Sequence, residues 1–348
     1  MLAPTLASTS GRPEACGPKG GVVGITSADV ARESGVSRTT VSYVLTGRDG
    51  VNISEETRRR VRETAVRLGY APSAAARALR TGRSDLVLCI LPDWPVGPVI
   101  ETLLDQLADE LSGRGLSVLV HHGRGQRSLT ELWRAVTPRA VIGFAPFAAE
   151  DLHAMRQAGI QVLGTRGEEH QPDPALPSET QLEIGALQVR HLAARGRRRL
   201  GYAWPADPRL EVFARDRLLG VRRACAALGL PEPVVLPVTL DIPAAATSVR
   251  TWRGQGVDAV AAYNDDVALA VLAGLRAEEL SCPEDCGVVG VDDVPAARLA
   301  APPLTTVSQS IELQGRYLAA LVLADLDGSA EKPEHPGHGL HLVERESV

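Results

Sequence analysis

The stretch "SADVARESGVSRTTVSYVL", residues 27–45, contains two short apolar repeats separated by a glycine. Its larger apolar side chains recur at helical spacing, at Val30, Val36, Val41 and Val44. Small Ala31 allows two helices to cross closely, Gly35 supplies the positive φ that a tight turn needs, and Ser37 can cap the second helix. The stretch therefore predicts a helix-turn-helix.

Signals on either side of this stretch extend it to three helices. Thr26 followed by Asp29 resembles a capping box at the start of the first helix. The segment "SEETRRRVRETAVRLGY" begins at Ser54 and places two acidic residues in the first turn of a third helix. Three helices can bury a minimal core between them.

Charge is unevenly distributed along the chain. The formal net charge is −5, yet residues 22–83 contain 11 arginines and six acidic residues, a net charge of +5. Residues 84–348 carry the opposite excess, a net charge of −11. A cationic segment attached to an anionic body indicates that the segment meets a polyanion.

In a helix-turn-helix the second helix enters the major groove of duplex DNA, so residues 22–70 are predicted to form a DNA-binding domain. The candidate DNA contacts lie on the second helix and its cap: Ser37, Arg38, Thr39, Thr40 and Tyr43. Four arginines of the third helix, Arg58, Arg59, Arg60 and Arg62, have two open interpretations. They contact backbone phosphates, or they form a solvated helix face.

Residues 1–21 are rich in Gly, Pro and Ser and are predicted to be a disordered tail. They lack the basic start and compact apolar block of a secretion signal. No apolar run reaches the roughly 18 residues of a membrane span, and the 44% hydrophobic content is typical of globular proteins. We therefore expect a cytoplasmic protein, associated with the nucleoid and not with a membrane.

The segment "YAPSAAARALRTGRSD" connects the basic head to the rest of the chain. Pro72 suits a helix start, and only about eight residues remain before Gly82, so such a helix folds only when it is docked. Residues 71–84 are predicted to be a hinge helix and linker. Leu79, with Arg77 nearby, would suit a wedge in the DNA minor groove. An exposed linker with an incidental leucine is the alternative.

The run from Ile25 to Leu79 resembles the LacI/GalR family of bacterial transcription regulators. It matches "DVA…GVS…TVS.VL", "S.ETR..V", "LGY.P" and "A..L" in order. The resemblance implies a homodimer whose hinge helices pair across the centre of a near-palindromic operator, with Leu79 in the minor groove. Thr46 stands where asparagine is common in the family, a departure that concerns operator detail rather than class.

From residue 85 onward, short aliphatic runs alternate with amphipathic segments. The runs are "DLVLCIL", "LSVLVHH", "AVIGFA", "IQVLGT", "RLGYAW", "PVVLPV", "AVAAYN" and "GVVGVDD". This βα alternation predicts parallel sheets covered on both faces, with ligand sites outside the carboxyl ends of the strands. The resemblance implies that residues 85–348 form a two-lobed, periplasmic-binding-protein-like α/β core for effector binding and dimerisation, with "HLVERESV" as the final strand.

Several polar residues stand where these strands end. Asn264 follows "AVAAY" and Asp292 follows "GVVGV", while Arg217 and Gly220 form the "R..G" signature of the family. The resemblance implies that Arg217, Asn264 and Asp292 hydrogen-bond a small-molecule effector, such as a sugar or a related polar metabolite. The alternative for Asn264 and Asp292 is that they only cap the helices that follow.

Two stretches depart from the family pattern near the expected cleft. "PDWPVGP" places Asp93 and Trp94 where an "NPFF"-like wall is usual. "LPSETQLEIG" lacks the aspartate usual at the lobe crossing and leaves Arg166 and Glu179 as substitutes. Asp93, Trp94 and Arg166 are therefore effector-site candidates, and the chemical identity of the effector stays open.

The motifs of other α/β proteins do not occur in this sequence. It has no G-x-G-x-x-G between a strand and a helix, no P-loop and no G-x-S-x-G elbow, so we expect no catalytic residue and no cofactor. A plain solute-binding protein would have no use for the basic head. A sequence-specific transcriptional regulator is the prediction, and the family resemblance favours a repressor that an effector controls.

The five cysteines are too few and too scattered for a disulfide framework. Cys282 and Cys286 lack a second ligand pair, and His335, His338 and His341 fall in a Pro/Gly-rich stretch that favours a solvated turn. We therefore expect reduced thiols and no metal site.

Overall fold

A computed structural model describes residues 25–45, 51–70, 82–123, 128–164, 178–337 and 339–348. The chain divides into two compact units, residues 1–80 and 81–348. The predicted tail, residues 71–81 of the predicted hinge with Arg77 and Leu79, and the candidate Arg166 lie outside the described residues. Those expectations stay predictions.

The described residues of the first unit form three helices, α1 (Ser27–Ser34), α2 (Arg38–Leu45) and α3 (Glu55–Leu68). Their packed core consists of six small aliphatic residues, Val30, Ala31, Val41, Val44, Val61 and Ala65. Each helix contributes two of these side chains, at helical spacing, and together they form the core that the three helices share. The arrangement confirms the helical pattern expected from residues 27–45.

Local signals set the ends of these helices. Gly35 ends α1 at a φ of 68°, a left-handed conformation that glycine adopts without steric cost. The hydroxyl of Ser37 accepts a hydrogen bond from the backbone N–H of Thr40 at 3.0 Å and so caps α2. Asp29 accepts hydrogen bonds from the backbone N–H and the hydroxyl of Thr26. The expected turn and caps are confirmed.

The second unit contains two α/β lobes. Lobe 1 has a parallel four-stranded sheet of β1 (Leu86–Leu91), β2 (Ser117–His122), β3 (Ala140–Gly143) and β4 (Gln161–Gly164), in the order β2-β1-β3-β4. Its helices from this part of the chain are α4 (Pro98–Ser112), α5 (Leu129–Val136) and α6 (Ala149–Gln157).

Lobe 2 has a six-stranded sheet. Its helices and strands, in chain order, are α7 (Glu179–Ala194), β5 (Leu200–Pro205), α8 (Glu211–Ala227), β6 (Val234–Val238), α9 (Ile242–Gly254), β7 (Ala259–Ala262), α10 (Asp265–Ala277), β8 (Gly287–Val291), α11 (Pro295–Leu299), β9 (Thr305–Gln309) and, at the end of the chain, β10 (Leu340–Val343). The sheet order is β10-β9-β8-β7-β5-β6, and β10 runs antiparallel to β9. The eight predicted strands are confirmed. β9 was not predicted, and the antiparallel edge departs from the expected all-parallel sheet.

One helix from the end of the chain completes lobe 1. After β9 the chain forms α12 (Ile311–Leu326), which packs against α4, and Leu318, Ala319 and Val322 join the core of lobe 1. A Cβ on Gly315 would lie 2.8 Å from the Cβ of Gln106, so glycine is what permits this close approach. The lobes are therefore built from segments far apart in sequence. Within the described ranges, every helix is too short or too polar to cross a lipid bilayer.

Candidate functional site

Helix α2 presents a polar face to solvent. Val41 and Val44 are buried in the core, whereas Arg38 and Thr39 at its N-terminal end are exposed, and Thr40 and Tyr43 are partly buried. The hydroxyls of Ser37 and Thr40 lie 2.9 Å apart, so the cap engages both of them. A guanidinium and a hydroxyl at the start of an exposed helix are the groups that read base edges in the major groove.

The arginines of α3 do not share one environment. Arg58 turns inward, with its side chain 15% exposed, and donates hydrogen bonds from Nε and Nη2 to the carbonyl oxygens of Ile53 and Val51 at 3.3 Å. Arg58 therefore braces the segment before α3, a role that neither predicted interpretation included. Arg59, Arg60 and Arg62 are exposed, and both of those interpretations still apply to them.

The second unit contains a cavity of about 630 Å³ between its lobes. Its lining includes residues that directly follow β5, β6, β7 and β8, together with residues 94–100 after β1. Parallel strands converge at their carboxyl ends, where loops are free of sheet hydrogen bonds, and ligands of open α/β folds bind there. The volume lies within the range of about 300–1,000 Å³ found for small-molecule sites.

Arg217 lies on α8, is only 5% exposed and lines this cavity. Its Nη1 donates a hydrogen bond to the backbone carbonyl of Tyr263 at 2.5 Å, and its Nε donates to Oε1 of Gln181. Its guanidinium carbon also lies 4.6 Å from the centre of the Tyr263 ring, within cation–π distance. These contacts hold the cation in one orientation before any ligand arrives.

The glycine of the "R..G" signature explains how Arg217 meets Gln181. A Cβ on Gly220, one turn after Arg217, would lie 2.0 Å from the carbonyl oxygen of Leu182 on α7. A Cβ on Gly185 would lie 2.2 Å from the carbonyl oxygen of Arg217 itself. The two glycines let the backbones of α7 and α8 touch, and this contact brings Gln181 within reach of the guanidinium.

Asp292 directly follows β8 and lines the same cavity as Arg217. Nε2 of Gln309 donates a hydrogen bond to Oδ1 of Asp292 at 2.7 Å. Burial raises the pKa of Asp292 to about 6, while the positive charge of Arg217 and the hydrogen bond from Gln309 act in the opposite direction. Helix α11 begins only at Pro295, after an N-cap at Val294, so the capping alternative does not apply to Asp292.

Asn264 fits both of its predicted roles. Its Oδ1 accepts a hydrogen bond from the backbone N–H of Val267 at 3.0 Å and caps α10, as the alternative required. The residue also lines the cavity. Because the cap uses the side-chain oxygen, the amide nitrogen is the group available to donate to a ligand.

Asp265 positions the loop that carries Asp292. It is fully buried, and its two carboxylate oxygens accept hydrogen bonds from the backbone N–H of Val294 at 2.9 Å and the hydroxyl of Thr306 at 2.7 Å. Burial raises the pKa of Asp265 to about 7, helped by the negative charges of Asp292 and Asp293 and opposed by the two hydrogen bonds.

We expect this buried carboxylate to make the stability of lobe 2 depend on pH. A carboxyl whose pKa is higher in the folded protein binds protons more tightly there, so stability decreases as pH rises from about 4 through about 7 and then levels off. Asp292 contributes in the same direction, up to its own pKa near 6. Thermal unfolding of the full chain between about pH 5 and pH 8 measures this decrease.

Two substitutions of Asp265 separate its charge from its hydrogen bonds. Asp265→Asn keeps an acceptor for Val294 and is expected to flatten the pH dependence. Asp265→Ala leaves the Val294 N–H and the Thr306 hydroxyl without their partner and is expected to cost about 1–3 kcal/mol at every pH. An Asn variant as pH-dependent as the unsubstituted chain would refute the assignment.

The segment after β1 contributes Trp94 to the cavity, whereas Asp93 lies outside the lining. The Trp94 ring makes edge contacts with Phe213 of lobe 2 at 5.0 Å and with Phe144 of lobe 1 at 6.2 Å between ring centres. A carboxylate oxygen of Asp93 lies 3.8 Å from Nη1 of Arg209 in lobe 2. Both residues therefore contact the opposite lobe, at one side of the cleft.

The lining residues that sequence reasoning missed include Gln181, Phe213, Tyr263 and Gln309. Tyr263 stands beside Asn264 at a strand end, so the strand pattern could have identified it. Gln181 had no such signal, because it lies on a helix and reaches Arg217 only through the approach of α7 to α8. Glu179, the predicted substitute, is exposed at the start of α7.

The cysteine and histidine patterns do not form a metal centre in the described part of the chain, where no group of three or more His, Cys, Asp or Glu side chains could hold an ion. Burial raises the pKa of the Cys282 and Cys286 thiols to about 12. Both thiols therefore stay protonated at neutral pH, which disfavours metal binding and thiolate chemistry.

Both units match models of known families. Residues 26–73 match bacterial regulatory proteins of the lacI family, and residues 189–348 match a periplasmic binding protein-like domain. The transcriptional regulator CelR of Thermobifida fusca is 32% identical over 339 residues, covering 91% of this chain and 96% of CelR. The regulator GntR of Pseudomonas aeruginosa is 30% identical, covering 92% of this chain and 94% of GntR.

Solved structures agree with these sequence matches. A CelR–cellobiose complex is 27% identical and superposes with a TM-score of 0.62, covering 93% of this chain and all of that chain. A Lac repressor dimer bound to operator and the anti-inducer ONPF is 23% identical, with a TM-score of 0.73, and covers 93% of this chain and 98% of that chain, a likeness of fold. With its helix-turn-helix unit and two-lobed α/β unit, the chain belongs to the LacI family of DNA-binding transcriptional regulators.

Proposed function

We propose that this regulator is a homodimeric repressor, whose affinity for a near-palindromic DNA operator is controlled by a small-molecule effector bound in the cavity between the lobes. The observation that carries the proposal is that Arg217 and Asp292 line one cavity beside the carboxyl ends of the lobe 2 strands, in a chain that also has an exposed polar face on α2. A fixed cation beside a carboxylate suits hydroxyl or amide groups of a ligand. The protein acts by binding, in the cytoplasm at the nucleoid.

In this mechanism, two α2 helices of a dimer contact two half-sites, and the segment 71–84 acts as the hinge between head and core, with Arg77 on phosphates and Leu79 in the minor groove. An effector favours the lobe arrangement that it binds more tightly. The change alters the hinge and thereby the affinity for the operator. The difference between the binding free energies of the effector for the two lobe arrangements sets the upper limit of this response.

Retardation of genomic DNA fragments by the full-length protein tests the proposal. We expect selective retention of a few fragments, and footprints with two symmetric half-sites on them. Equal retention of all fragments would refute sequence-specific binding. Release of the selected fragments by a low-molecular-mass extract of the source organism tests control by an effector.

Replacing Arg38 tests the assignment of α2. Arg38→Ala is expected to weaken binding to the selected fragment by about 1–3 kcal/mol, because a guanidinium that reads a base edge loses its hydrogen bonds. Fluorescence anisotropy with the labelled fragment measures the loss. Arg32→Ala is the matched control, because Arg32 is an exposed arginine of α1 whose carboxylate partner is Asp29. Equal losses of affinity for the two variants would show that Arg38 contributes only its positive charge and does not read a base.

A further inference from the structure

The loop after β8, residues 292–294, has an unusual backbone. Asp292 has a φ of 110° and Asp293 a φ of 54°, so two adjacent residues other than glycine adopt positive φ. L-amino acids rarely take such values, because their Cβ then crowds a backbone carbonyl oxygen. A loop of this kind keeps its conformation only where the surrounding structure holds it. Asp292 therefore lines the cavity in a conformation that depends on contacts outside the loop.

The backbone of this loop has one weakly held position. The N–H groups of Asp292 and Val294 donate hydrogen bonds of 2.8 and 2.9 Å to neighbouring elements. The N–H of Asp293, between them, reaches the hydroxyl of Thr306 only at 3.4 Å. An N–H···O bond in a protein is normally no longer than about 3.2 Å. The side chain of Asp293 is therefore the stronger attachment at the middle of the loop.

Arg345, in the segment after β10, binds this side chain. Its Nη2 donates a hydrogen bond to Oδ1 of Asp293, and its Nη1 donates to the carbonyl oxygen of Leu304 at 2.7 Å. Its own backbone N–H donates to the hydroxyl of Thr305 at 2.9 Å. The side chains of Arg345 and Asp293 are each only 15% exposed, so salt screens their attraction little. Arg345 therefore links the loop to the start of β9.

A second arginine, Arg298 of α11, pairs with the other oxygen of the same carboxylate. Its Nη2 lies 3.2 Å from Oδ2 of Asp293, and its side chain is 65% exposed. Exposed ion pairs contribute little to stability, because water and salt weaken the attraction. The two arginines share one partner but differ in burial, so Arg298 provides a matched control for Arg345.

The segment that contains Arg345 is itself anchored to the sheet. Ser347 is fully buried, and its hydroxyl donates to the carbonyl oxygen of Val288 at 2.6 Å and accepts from the N–H of Thr305 at 2.8 Å. Val288 and Thr305 lie at the starts of β8 and β9, whereas Asp292 follows the end of β8. Within the described residues, the hydrogen bonds of Ser347 fix the segment, and none of them involves the loop.

We propose that Arg345 is a positioning residue of the effector site, because it holds Asp293 and thereby the strained backbone that directs Asp292 into the cavity. Arg345 lies outside the cavity lining and 52 residues after Asp293, so it acts on the ligand only through the loop. Without Arg345, the loop relaxes towards negative φ and the carboxylate of Asp292 leaves its place in the lining. The inference rests on the proposed effector role of the cavity.

Release of the labelled operator fragment by the low-molecular-mass extract measures this effect on the full-length protein. Arg345→Gln is expected to require about tenfold more extract for half-release, because the strained loop relaxes when its ion pair is lost. Affinity for the fragment without extract is expected to stay unchanged. Arg345→Lys keeps the charge but not the planar fork, and it is expected to recover part of the loss.

Two controls separate positioning from stability. Arg298→Gln removes the exposed partner of Asp293 and is expected to leave the extract requirement unchanged. Ser347→Ala removes buried hydrogen bonds of the same segment, so it is expected to lower Tm but not to change the extract requirement of the folded protein. An Arg345→Gln variant that lowers Tm and is released at the usual extract concentration overturns the inference. Ser347→Ala and Arg345→Gln variants with equally raised extract requirements overturn it as well.

Hydrogen–deuterium exchange, read by mass spectrometry, tests the loop without any ligand. In Arg345→Gln, peptides that contain residues 292–294 are expected to exchange about tenfold faster, while peptides of α9 keep their rate, because the opening is local. An unchanged rate at residues 292–294 overturns the inference whatever the extract does. If the extract does not release even the unsubstituted protein, the proposed effector control fails, and the exchange rates alone decide whether Arg345 holds the loop.

Discussion

Replacing Gly220 with alanine is expected to lower the free energy of unfolding of the second unit by about 3 kcal/mol or more, the upper end of the cost of overpacking. The new Cβ would lie 2.0 Å from the carbonyl oxygen of Leu182. This obstacle is backbone in a packed helix, so a side-chain rotation cannot relieve it. α7 and α8 would have to separate along their whole contact.

Thermal unfolding of the full chain measures this loss, which corresponds to a fall in Tm of about 6–12 °C for a unit of this size. Gly254→Ala is the control. Gly254 is also a helical glycine, the last residue of α9, but a Cβ there meets nothing within 4 Å, so alanine is expected to be neutral or to stabilise by up to about 1 kcal/mol. Equal Tm values for the two variants would mean that the α7–α8 contact does not depend on glycine.

The same separation would affect the ligand site. Gln181 precedes Leu182 on α7, so moving α7 away removes the acceptor of Arg217 Nε. Gly220→Ala is therefore expected to weaken ligand binding as well as stability, whereas a substitution that only loosens the core would leave the remaining folded protein with normal affinity. Titration at a temperature where the variant is fully folded distinguishes the two.

Arg217→Ala is expected to abolish the response to the effector while operator binding stays intact. Removing a charged hydrogen-bond donor from the site is expected to cost about 1.5–3 kcal/mol of ligand affinity. Loss of the cation also raises the pKa of Asp292 above its value of about 6, so the carboxyl begins to protonate near neutral pH and becomes a poorer acceptor.

The measurement is release of the selected operator fragment by the low-molecular-mass extract that releases the unsubstituted protein. Arg215→Ala is the control, since Arg215 lies on the same helix with a side chain 61% exposed and pairs with Asp216 on its own helix. Arg217→Lys keeps the charge but loses the planar fork, and it is expected to restore only part of the response. An Arg217→Ala variant that is still released at the same extract concentration would remove Arg217 from the effector site.

Local sequence patterns were sufficient for the three described helices of the first unit and for strands β1 to β8. The residues from Thr26 to Leu45 encode caps, a turn and apolar spacing within a few positions of one another, so each signal acts on its own neighbourhood. The aliphatic runs of the second unit are equally local. Polar residues that directly follow such a run, Asn264 and Asp292 among them, were identified because strand ends of a parallel sheet converge.

Long-range packing decided the placement of α12 and the contacts of Arg58 and Asp265, and no local sequence pattern encodes these features. α12 belongs to lobe 1 although it follows the strands of lobe 2, because its apolar face matches the core beside α4. Arg58 looked like a surface arginine but turns towards two backbone carbonyls. Asp265 follows Asn264 in sequence, but it does not line the cavity. It accepts a hydrogen bond from the loop of Asp292, because strand β8 brings Val294 next to it.

The sequence by itself determined the helix-turn-helix with its caps, strands β1 to β8 and the strand-end candidates, since these depend on contacts between near neighbours, and its resemblance to a known family indicated the class of the protein. Only the tertiary structure decided that Gln181 and Gln309 join the site and that Arg217 is held in one orientation. The reason is physical: these properties arise where two glycines let α7 and α8 touch and where the lobes face each other across the cavity. Such contacts join residues that are far apart in sequence, and their positions in the sequence do not indicate that they are close in space.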